Sequence, residues 1–136
     1  MTEFIDVFPT LCELTGLAPP QGLDGKSLTN LMRGERPMKN KPSVSQYLRN
    51  TDDGLVMGWA IRTPRYRYVE WRRTRVENLQ YTHSGQGVGC ELYDYQVDPN
   101  ETRNLAASVE HRGVLAKMAE EFDKVLPDLP ERNEDI

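Results

Sequence analysis

Apolar residues recur at three- and four-residue spacing near the start of the chain, which predicts an amphipathic helix. The stretch follows Asp6, a residue type that caps helices, and Gly16 can end it in a left-handed conformation. A second, short helix is predicted from its cap at Ser27 to Gly34. The 4–34 region is therefore expected to form helical turns. The apolar positions of the first helix are Val7, Phe8, Leu11 and Leu14.

The middle of the chain changes to apolar and polar residues in alternation, which is typical of half-buried strands. Strands are predicted over residues 43–48, 55–63, 65–73 and 91–97. The glycine-containing segment 83–89 is expected to form a loop before the last of them. Because the connections are too short for helical crossovers, an antiparallel meander is the economical topology.

Two short segments carry turn chemistry and place the ends of the predicted strands. Residues 51–54, "TDDG", separate the first two strands, and residues 98–101, "DPNE", follow the fourth. Within the fourth strand, alternation puts Leu92 on the same face as Asp94.

A final helix is predicted from its cap at Ser108 to residue 126, where Pro127 stops it. Its apolar stripe should cover the sheet, and the acidic residues 127–136 are expected to be a disordered tail. The stripe consists of Leu115, Met118, Ala119, Phe122, Val125 and Leu126. The predicted fold class is α+β, a small antiparallel sheet of about four strands with a C-terminal helix packed across it and N-terminal helical turns.

The chain length of 136 residues fits a single domain that can bury a core. Residues 1–126 are expected to form one subdomain. It comprises a helical lead-in at 1–34, the antiparallel sheet at 43–105 and the helix at 108–126.

Composition narrows the functional classes. The net charge of -4 and the pI near 5.2 argue against a general binder of nucleic acid or of anionic membranes. No run approaches the roughly 18 apolar residues of a membrane span, and the first residues show no export-signal pattern. Cys12 and Cys90 lie outside any Cys-x-x-Cys or Cys/His cluster, so both are expected to be buried or inert thiols.

Isolated histidines and carboxylates give only weak signals of chemistry. His83 and His111 have no partner at the spacing of a triad or metal site, so each is expected to be a surface or structural residue. The pair Asp52-Asp53 is expected to be a solvated turn rather than a metal site. No catalytic residue and no metal ligand is predicted in this chain.

One cluster rises above this background, residues 61–75, where arginines alternate with aromatic rings. Such a set can hold anionic oxygens bidentately and can stack on rings. In the alternative interpretation the rings pack and the arginines pair with nearby acids, which is favoured because the chain holds 21 acidic and 17 basic residues. The cluster comprises Arg62, Arg65, Arg67, Arg72, Arg73 and Arg75 with Tyr66, Tyr68 and Trp71.

Four segments in this order resemble the carboxyl-terminal part of a type I sulfatase and are most similar to the iduronate-2-sulfatase-like branch. They are "DVFPTLCELTGL…LDGKSL", "SQY", "MGWAIRTPRYRYVEW" and "ELYDYQVDPNETRNLA". The resemblance runs from about Phe4 to Met118, and the shared order and similar gaps make it specific.

The resemblance implies an alkaline-phosphatase-like enzyme whose large amino-terminal domain binds calcium and carries a formylglycine made from cysteine. Neither Cys12 nor Cys90 lies in a Cys-x-Pro-x-Arg context, so neither matches the modified nucleophile. Asp52-Asp53 does not follow an apolar strand as the family's metal-binding pair does. No cofactor is expected in this chain, and calcium and formylglycine are expected in the missing catalytic domain.

The positions that match the family carry scaffold, and the resemblance implies that the segment from Met57 to Trp71 edges the substrate cleft. The matching positions are Asp6, Pro9, Thr10, Leu11, Gly16, Gly25, Arg62, Tyr66, Tyr93, Asp98, Pro99, Glu101, Asn104 and Leu105. The candidate residues of the substrate rim are Trp59, Arg62, Tyr66, Arg67 and Trp71.

Two functions remain open from the sequence. The chain is expected to be the C-terminal subdomain of a sulfatase acting on sulfated saccharides, with the missing N-terminal sulfatase domain as its partner. The alternative is a standalone module that binds an anionic saccharide or a protein through the Arg/Tyr/Trp strand. In the first case Phe4, Phe8, Leu11 and Trp59 should be uncovered and permit self-association. A periplasmic or extracellular location is expected if the parent enzyme is exported.

Overall fold

A computed structural model describes residues 1–35, 41–77 and 80–127 of the chain. The chain divides into two compact units, Met1–Ser43 and Val44–Ile136. The predicted tail falls outside the described residues from residue 128 onward. No helix in the described ranges is long and apolar enough to cross a membrane.

The first unit holds two helices, α1 over Val7–Leu14 and α2 over Thr29–Met32. Both end in glycines with positive φ, Gly16 at 75° and Gly34 at 74°. At the end of α1 the Leu17 N–H reaches the Cys12 carbonyl at 2.8 Å, which forms a Schellman cap. The predicted helix ends are therefore confirmed.

The predicted start of α1 is wrong in its mechanism, because the Asp6 side chain makes no capping bond to α1. Asp6 instead ends a 3-10 helix over Phe4–Asp6, and its carboxylate accepts the Glu3 N–H at 2.9 Å. The other oxygen accepts the Lys26 N–H at 2.9 Å, so this buried carboxylate fixes the chain between the two helices. Ser27 does bind the start of the second helix, since its Oγ accepts the N–H of Thr29, the first residue of α2, at 3.2 Å.

The second unit is built on four strands, and the predicted antiparallel meander is confirmed. They are β1 over Ser43–Thr51, β2 over Gly54–Arg62, β3 over Tyr66–Glu77 and β4 over Gln80–Asp94. Their order in the sheet is β1-β2-β3-β4, as in the chain. The two-residue turn Asp52-Asp53 joins the first pair as predicted.

Two predictions about the last strand are wrong. The glycine-containing segment 83–89 is part of β4 rather than a loop, and β4 pairs with β3 through register shifts beside Arg72. Extra residues in β4 are accommodated as bulges, which glycines tolerate well. The strand ends at Asp94 instead of residue 97, because the Asp94 carbonyl accepts the Asp98 N–H at 2.8 Å and starts the turn early.

A C-terminal helix, α3 over Arg112–Val125, follows a 3-10 turn over Val109–His111. Ser108 makes no backbone cap there, and its hydroxyl instead lies 2.9 Å from His111 Nδ1. The predicted apolar stripe is confirmed: it packs on one face of the sheet, which we call the helix face. The core consists of Ile61, Tyr68, Leu92, Leu105, Met118 and Phe122.

The helix face also buries a charged pair within β3. Glu70 and Arg72 are almost fully buried, and Arg72 Nη2 lies 2.8 Å from a Glu70 carboxylate oxygen. The Tyr68 hydroxyl donates to the other Glu70 oxygen at 2.7 Å. Phe122 of α3 meets the Tyr68 ring edge-on, with centroids 5.6 Å apart. Side chains of β3 that alternate with these point to the opposite face.

Candidate functional site

The face of the sheet opposite α3 carries a groove of about 210 Å³, and we call it the groove face. The groove continues into a wider depression of about 450 Å³ toward the β1–β2 turn. Both hollows share Arg49, Trp71 and Glu91. The smaller hollow also contacts Ser45, Tyr47, Gly58, Ala60, Arg67, Val69 and Glu101.

The structure divides the five predicted rim residues between the two faces. Trp59 and Tyr66 are half-buried against the core beneath α3, so they contribute to packing. Arg62, Arg67 and Trp71 alternate with them along β2 and β3 and therefore lie on the groove face. The linear cluster thus supplies two separate surfaces.

A flat tryptophan ring forms the floor of the groove. The indole of Trp71 lies across Gly58 on the paired strand, where a Cβ would fall 2.7 Å from the ring. Trp71 Nε1 donates to Glu91 at 2.8 Å. The guanidinium carbon of Arg49 sits 4.2 Å from the centre of the same ring. A glycine, a carboxylate and a cation together fix the orientation of this ring.

A second ring–cation pair lies at the other end of the groove face. Arg62 stacks on Tyr95 with its guanidinium carbon 3.4 Å from the ring centre. The Tyr95 hydroxyl donates to Glu101, and Arg67 donates to the second oxygen of the same carboxylate at 2.5 Å. Each Glu101 oxygen thus accepts one donor. The backbone of Glu101 adopts a φ of 54°, which non-glycine residues seldom use.

The electrostatics of this cluster favour a protonated tyrosine beside an ion pair. Burial raises the pKa of Tyr95, and its hydrogen bond to Glu101 raises that pKa further. Burial opposes ionisation of Glu101, but the bonds from Arg67 and Tyr95 outweigh it and lower the pKa of Glu101. Tyr93 behaves similarly, since burial and its bond to Glu91 raise the pKa of its hydroxyl.

Three other arginines of the cluster bond to groups of the sheet and its turns. Arg65 binds buried Asp94 with two nitrogens, at 3.0 and 2.7 Å, and holds the pKa of Asp94 below its ordinary value. Arg72 is the buried partner of Glu70. Arg73 donates to the Asp53 carbonyl at 2.7 Å. For Arg65 and Arg72 the interpretation as arginines paired with nearby acids is confirmed.

Sequence reasoning missed Arg49, Glu91 and the Tyr95–Glu101 pair as parts of this face. Alternation along β1 places Arg49 with Tyr47 and would have found it, had the strand been extended past residue 48. Glu101 comes from the turn after β4, and no local pattern indicates that it folds back onto Arg67.

The remaining chemical candidates show no assembly into a centre. Asp52-Asp53 forms the β1–β2 turn, and His111 contacts Ser108. The side chain of His83 lies outside the described part of the chain. Across the described ranges no three His, Cys, Asp or Glu side chains come together as a metal site. Cys12 is buried in α1, and Cys90 is half-buried.

Residues 98–105 fold back on the end of β4 and form hydrogen bonds with it. Asp98 accepts the Arg103 N–H at 2.9 Å, and Asn104 Oδ1 accepts the Leu92 N–H at 3.0 Å. Leu105 then enters the core, and its N–H reaches the Leu92 carbonyl at 2.8 Å. The turn that contains Pro99 therefore positions Glu101 against Arg67.

The chain matches the family model described as "N-sulphoglucosamine sulphohydrolase, C-terminal" over residues 1–127. It is 36% identical over 114 residues to a Delta 4,5-hexuronate-2-O-sulfatase of Bacteroides thetaiotaomicron, covering 83% of this chain and 21% of the relative. It is 27% identical over 142 residues to an ulvan-active sulfatase of Formosa agariphila, with 90% and 28% covered.

Solved structures agree with the sequence comparisons. A 2-O GAG sulfatase superposes with a TM-score of 0.67 at 32% identity, covering 90% of this chain and 24% of that chain. The chain thus spans about a fifth to a quarter of the length of the relatives it matches. The resemblance to the carboxyl-terminal part of a sulfatase is confirmed.

Proposed function

The chain belongs to the family of N-sulphoglucosamine sulphohydrolase C-terminal domains, and on this premise we propose that it serves a sulfatase that hydrolyses sulfate esters of saccharides. The observation that carries the proposal is the match of residues 1–127 to the family model, together with the similarity to a hexuronate-2-O-sulfatase and an ulvan-active sulfatase. A standalone binding module is not favoured, because the match covers nearly all of the chain.

The role of this chain is structural support and substrate contact rather than the chemical step. Sulfatase chemistry needs an activated nucleophile and a hard cation, and the family takes these from a formylglycine and calcium. The described residues do not fit either group: Cys12 is sequestered in α1, and no cluster of carboxylates is present among them. Both groups are assigned to an amino-terminal catalytic domain.

An apolar strip on the first unit is the proposed contact with that domain. Phe4 is 91% exposed, and Phe8 and Leu11 are each more than half exposed. They lie at i, i+4 and i+7, so they share one side of the helical segment. Such a strip is unusual on a surface that meets only water. Trp59 was also expected to be uncovered, but it is only half-exposed because it packs against the core cluster of the second unit.

The groove-face members of the predicted rim, Arg62, Arg67 and Trp71, are proposed to edge the substrate cleft. Arg67 and Trp71 support this role because both line the smaller hollow, and Arg62 lies on the same face of the sheet opposite Arg67. Trp59 and Tyr66 are not included, since both pack in the core of the helix face.

Turnover of an aryl sulfate tests the proposal. The 136-residue chain alone should be inactive, and a polypeptide that joins it to an upstream Cys-x-Pro-x-Arg domain should be active. Turnover by the chain alone that disappears in the Cys12→Ser or Cys90→Ser variant would refute the scaffold assignment.

Dye binding and light scattering test the apolar strip. The isolated chain should bind a hydrophobic dye or self-associate, and the Phe4→Ser/Phe8→Ser double variant should reduce both signals. A monomer without dye binding would count against docking through this strip.

A further inference from the structure

We propose that the groove face binds an anionic saccharide at two arginine seats, Arg49 on Trp71 and Arg62 on Tyr95. The inference rests on the proposed function and extends it, because Arg49 and the ring partnerships were not among the predicted rim residues. The ligand class is an oligosaccharide that carries at least two sulfate groups.

Each seat presents a guanidinium flat on an aromatic ring. The guanidinium carbons lie 4.2 Å from the Trp71 centroid and 3.4 Å from the Tyr95 centroid. Stacking on a ring engages the face of a guanidinium, and its N–H edge is what holds planar or tetrahedral anions bidentately. In Arg62, Nη1 donates to the Thr63 carbonyl, so Nε and Nη2 are the donors proposed to meet the ligand. Within the described ranges neither Arg49 nor Arg62 forms an ion pair with a carboxylate.

The carboxylates of the same face are already engaged by other donors. Glu91 accepts the Trp71 N–H at 2.8 Å and the Tyr93 hydroxyl at 3.1 Å. Glu101 accepts from Arg67 and Tyr95. These bonds orient the rings beneath both arginines, and among the described residues neither carboxylate forms a direct ion pair with Arg49 or Arg62. The acids therefore build the two seats.

The two seats lie on one face and are separated along the strands. Trp71 pairs with Gly58, and Arg62 stands four residues further along β2. At about 3.3 Å per residue, the two seats are offset by roughly 13 Å along the strand direction. The hollow beside Arg49 is lined in part by Ala60, Val69 and Tyr47, surfaces suited to the apolar face of a sugar ring. It extends to Glu101, which accepts the hydroxyl of Tyr95 in the second seat. A single sulfate ion can occupy only one seat, whereas an oligosaccharide can reach both.

Calorimetry on the full chain tests this with three probes: a heparin-derived tetrasaccharide, the same tetrasaccharide after desulfation, and inorganic sulfate. Arg49→Gln and Arg62→Gln should each weaken binding of the sulfated probe about tenfold, and the double variant about a hundredfold, because each removes one charge-assisted bidentate contact. Arg112→Gln on α3 makes the same charge change on another surface and should bind within about twofold of the parent.

Several results would overturn the proposal. Equal binding of the desulfated probe would show that its carboxylates or hydroxyls suffice. Inorganic sulfate that binds as tightly as the tetrasaccharide would exclude a two-seat site. If Arg112→Gln lost as much affinity for the sulfated tetrasaccharide as Arg49→Gln, the binding would be nonspecific charge attraction. Circular dichroism should show that the variants remain folded, and Arg49→Lys keeps the charge without the flat fork, so it should recover little of the affinity.

Failure here is separable from failure of the proposed function. If the polypeptide with its upstream domain hydrolyses sulfate esters while Arg49→Gln/Arg62→Gln leaves binding and KM unchanged, the seats are wrong and the sulfatase assignment stands. If that polypeptide is inactive but the chain binds the sulfated probe in an Arg49- and Arg62-dependent way, the seats stand without the assignment.

Discussion

The two faces of the sheet use the same residue types in opposite ways. On the helix face Arg72 is sealed under α3 with Glu70, and Tyr68 closes the remaining carboxylate oxygen. On the groove face the carboxylates of Glu91 and Glu101 bind ring-bearing donors, and arginines lie on those rings. Because neighbouring residues of one strand face opposite sides, a single arginine-rich sequence supplies both a core and a surface.

The difference shows what decides the role of an arginine here. A buried guanidinium loses its hydration and must keep its paired acid, whereas a stacked guanidinium at the surface retains an N–H edge for a ligand. Substitution of the buried arginine on the helix face should therefore change folding, and substitution of the stacked arginines on the groove face should change binding.

The largest effect is expected from breaking the buried pair. Arg72→Met leaves Glu70 buried without its cation and should lower the free energy of unfolding by about 3–5 kcal/mol. Denaturant unfolding measures the loss, with exposed Arg112→Met as the control. The double variant Glu70→Leu/Arg72→Met should recover part of the stability, because neither charge of this pair remains buried, although the Tyr68 hydroxyl then lacks its Glu70 acceptor. A double variant no more stable than Arg72→Met would contradict this explanation.

The next largest effect is expected where a backbone approaches a ring on the groove face. In Gly58→Ala the new methyl group would meet the Trp71 ring at 2.7 Å and displace it, at a cost of about 1–3 kcal/mol. Tryptophan fluorescence should shift, because the ring loses its contact with Arg49. Gly113→Ala in α3 is the matched control, since its added Cβ meets nothing within 4 Å. An unchanged spectrum in Gly58→Ala would disprove the flat floor.

A pH effect should follow from the Arg65–Asp94 pair. The bond from Arg65 lowers the pKa of Asp94 in the folded state, so the unfolded state binds its proton first as the pH falls. The stabilisation is complete above the unfolded pKa of about 3.9 and is lost as the pH falls through the lower folded value. The free energy of unfolding, measured from pH 6 to pH 2, should therefore depend less on pH in Asp94→Asn than in the parent protein. A variant with the same acid dependence as the parent would contradict the assignment.

The smallest effect is expected from the half-exposed pair on the groove face. Glu101→Gln weakens the bond to Arg67 and should cost no more than about 1 kcal/mol. Thermal unfolding should barely change, whereas binding of a sulfated tetrasaccharide should weaken because Tyr95 loses its fixed partner. A loss of stability like that of Arg72→Met would place Glu101 in the scaffold.

Local patterns were sufficient to predict the four strands, the final helix and the turns at Asp52-Asp53 and Pro99. They failed where tertiary pairing overrode local chemistry. Residues 83–89 contain glycines that favour a loop, yet the partner strand β3 continues through Glu77 and holds them in β4. Asp6 is a good capping residue, but the Lys26 N–H takes its carboxylate instead.

The candidate site was only partly predictable for the same reason. Alternation places Trp59 and Arg62 on opposite faces of β2, and Tyr66 and Arg67 on opposite faces of β3. Only the register of β2 and β3 shows which of these faces coincide. The contact of Glu101 with Arg67 depends on the turn that follows β4. The contact of Arg49 with Trp71 joins side chains of β1 and β3, which are not neighbours in the sheet. Contacts between residues distant in sequence leave no periodic signal.

The strand order β1-β2-β3-β4 also affects how quickly the second unit can fold. Each strand pairs with its immediate predecessor, so hairpins close over short loops and need little loss of chain entropy. Such local contacts favour rapid folding compared with sheets whose strands cross over. Attachment of α3 is different, because Phe122 must reach Tyr68 across about fifty residues of chain. We therefore expect the sheet to assemble early and the helix to complete the core in the slower step.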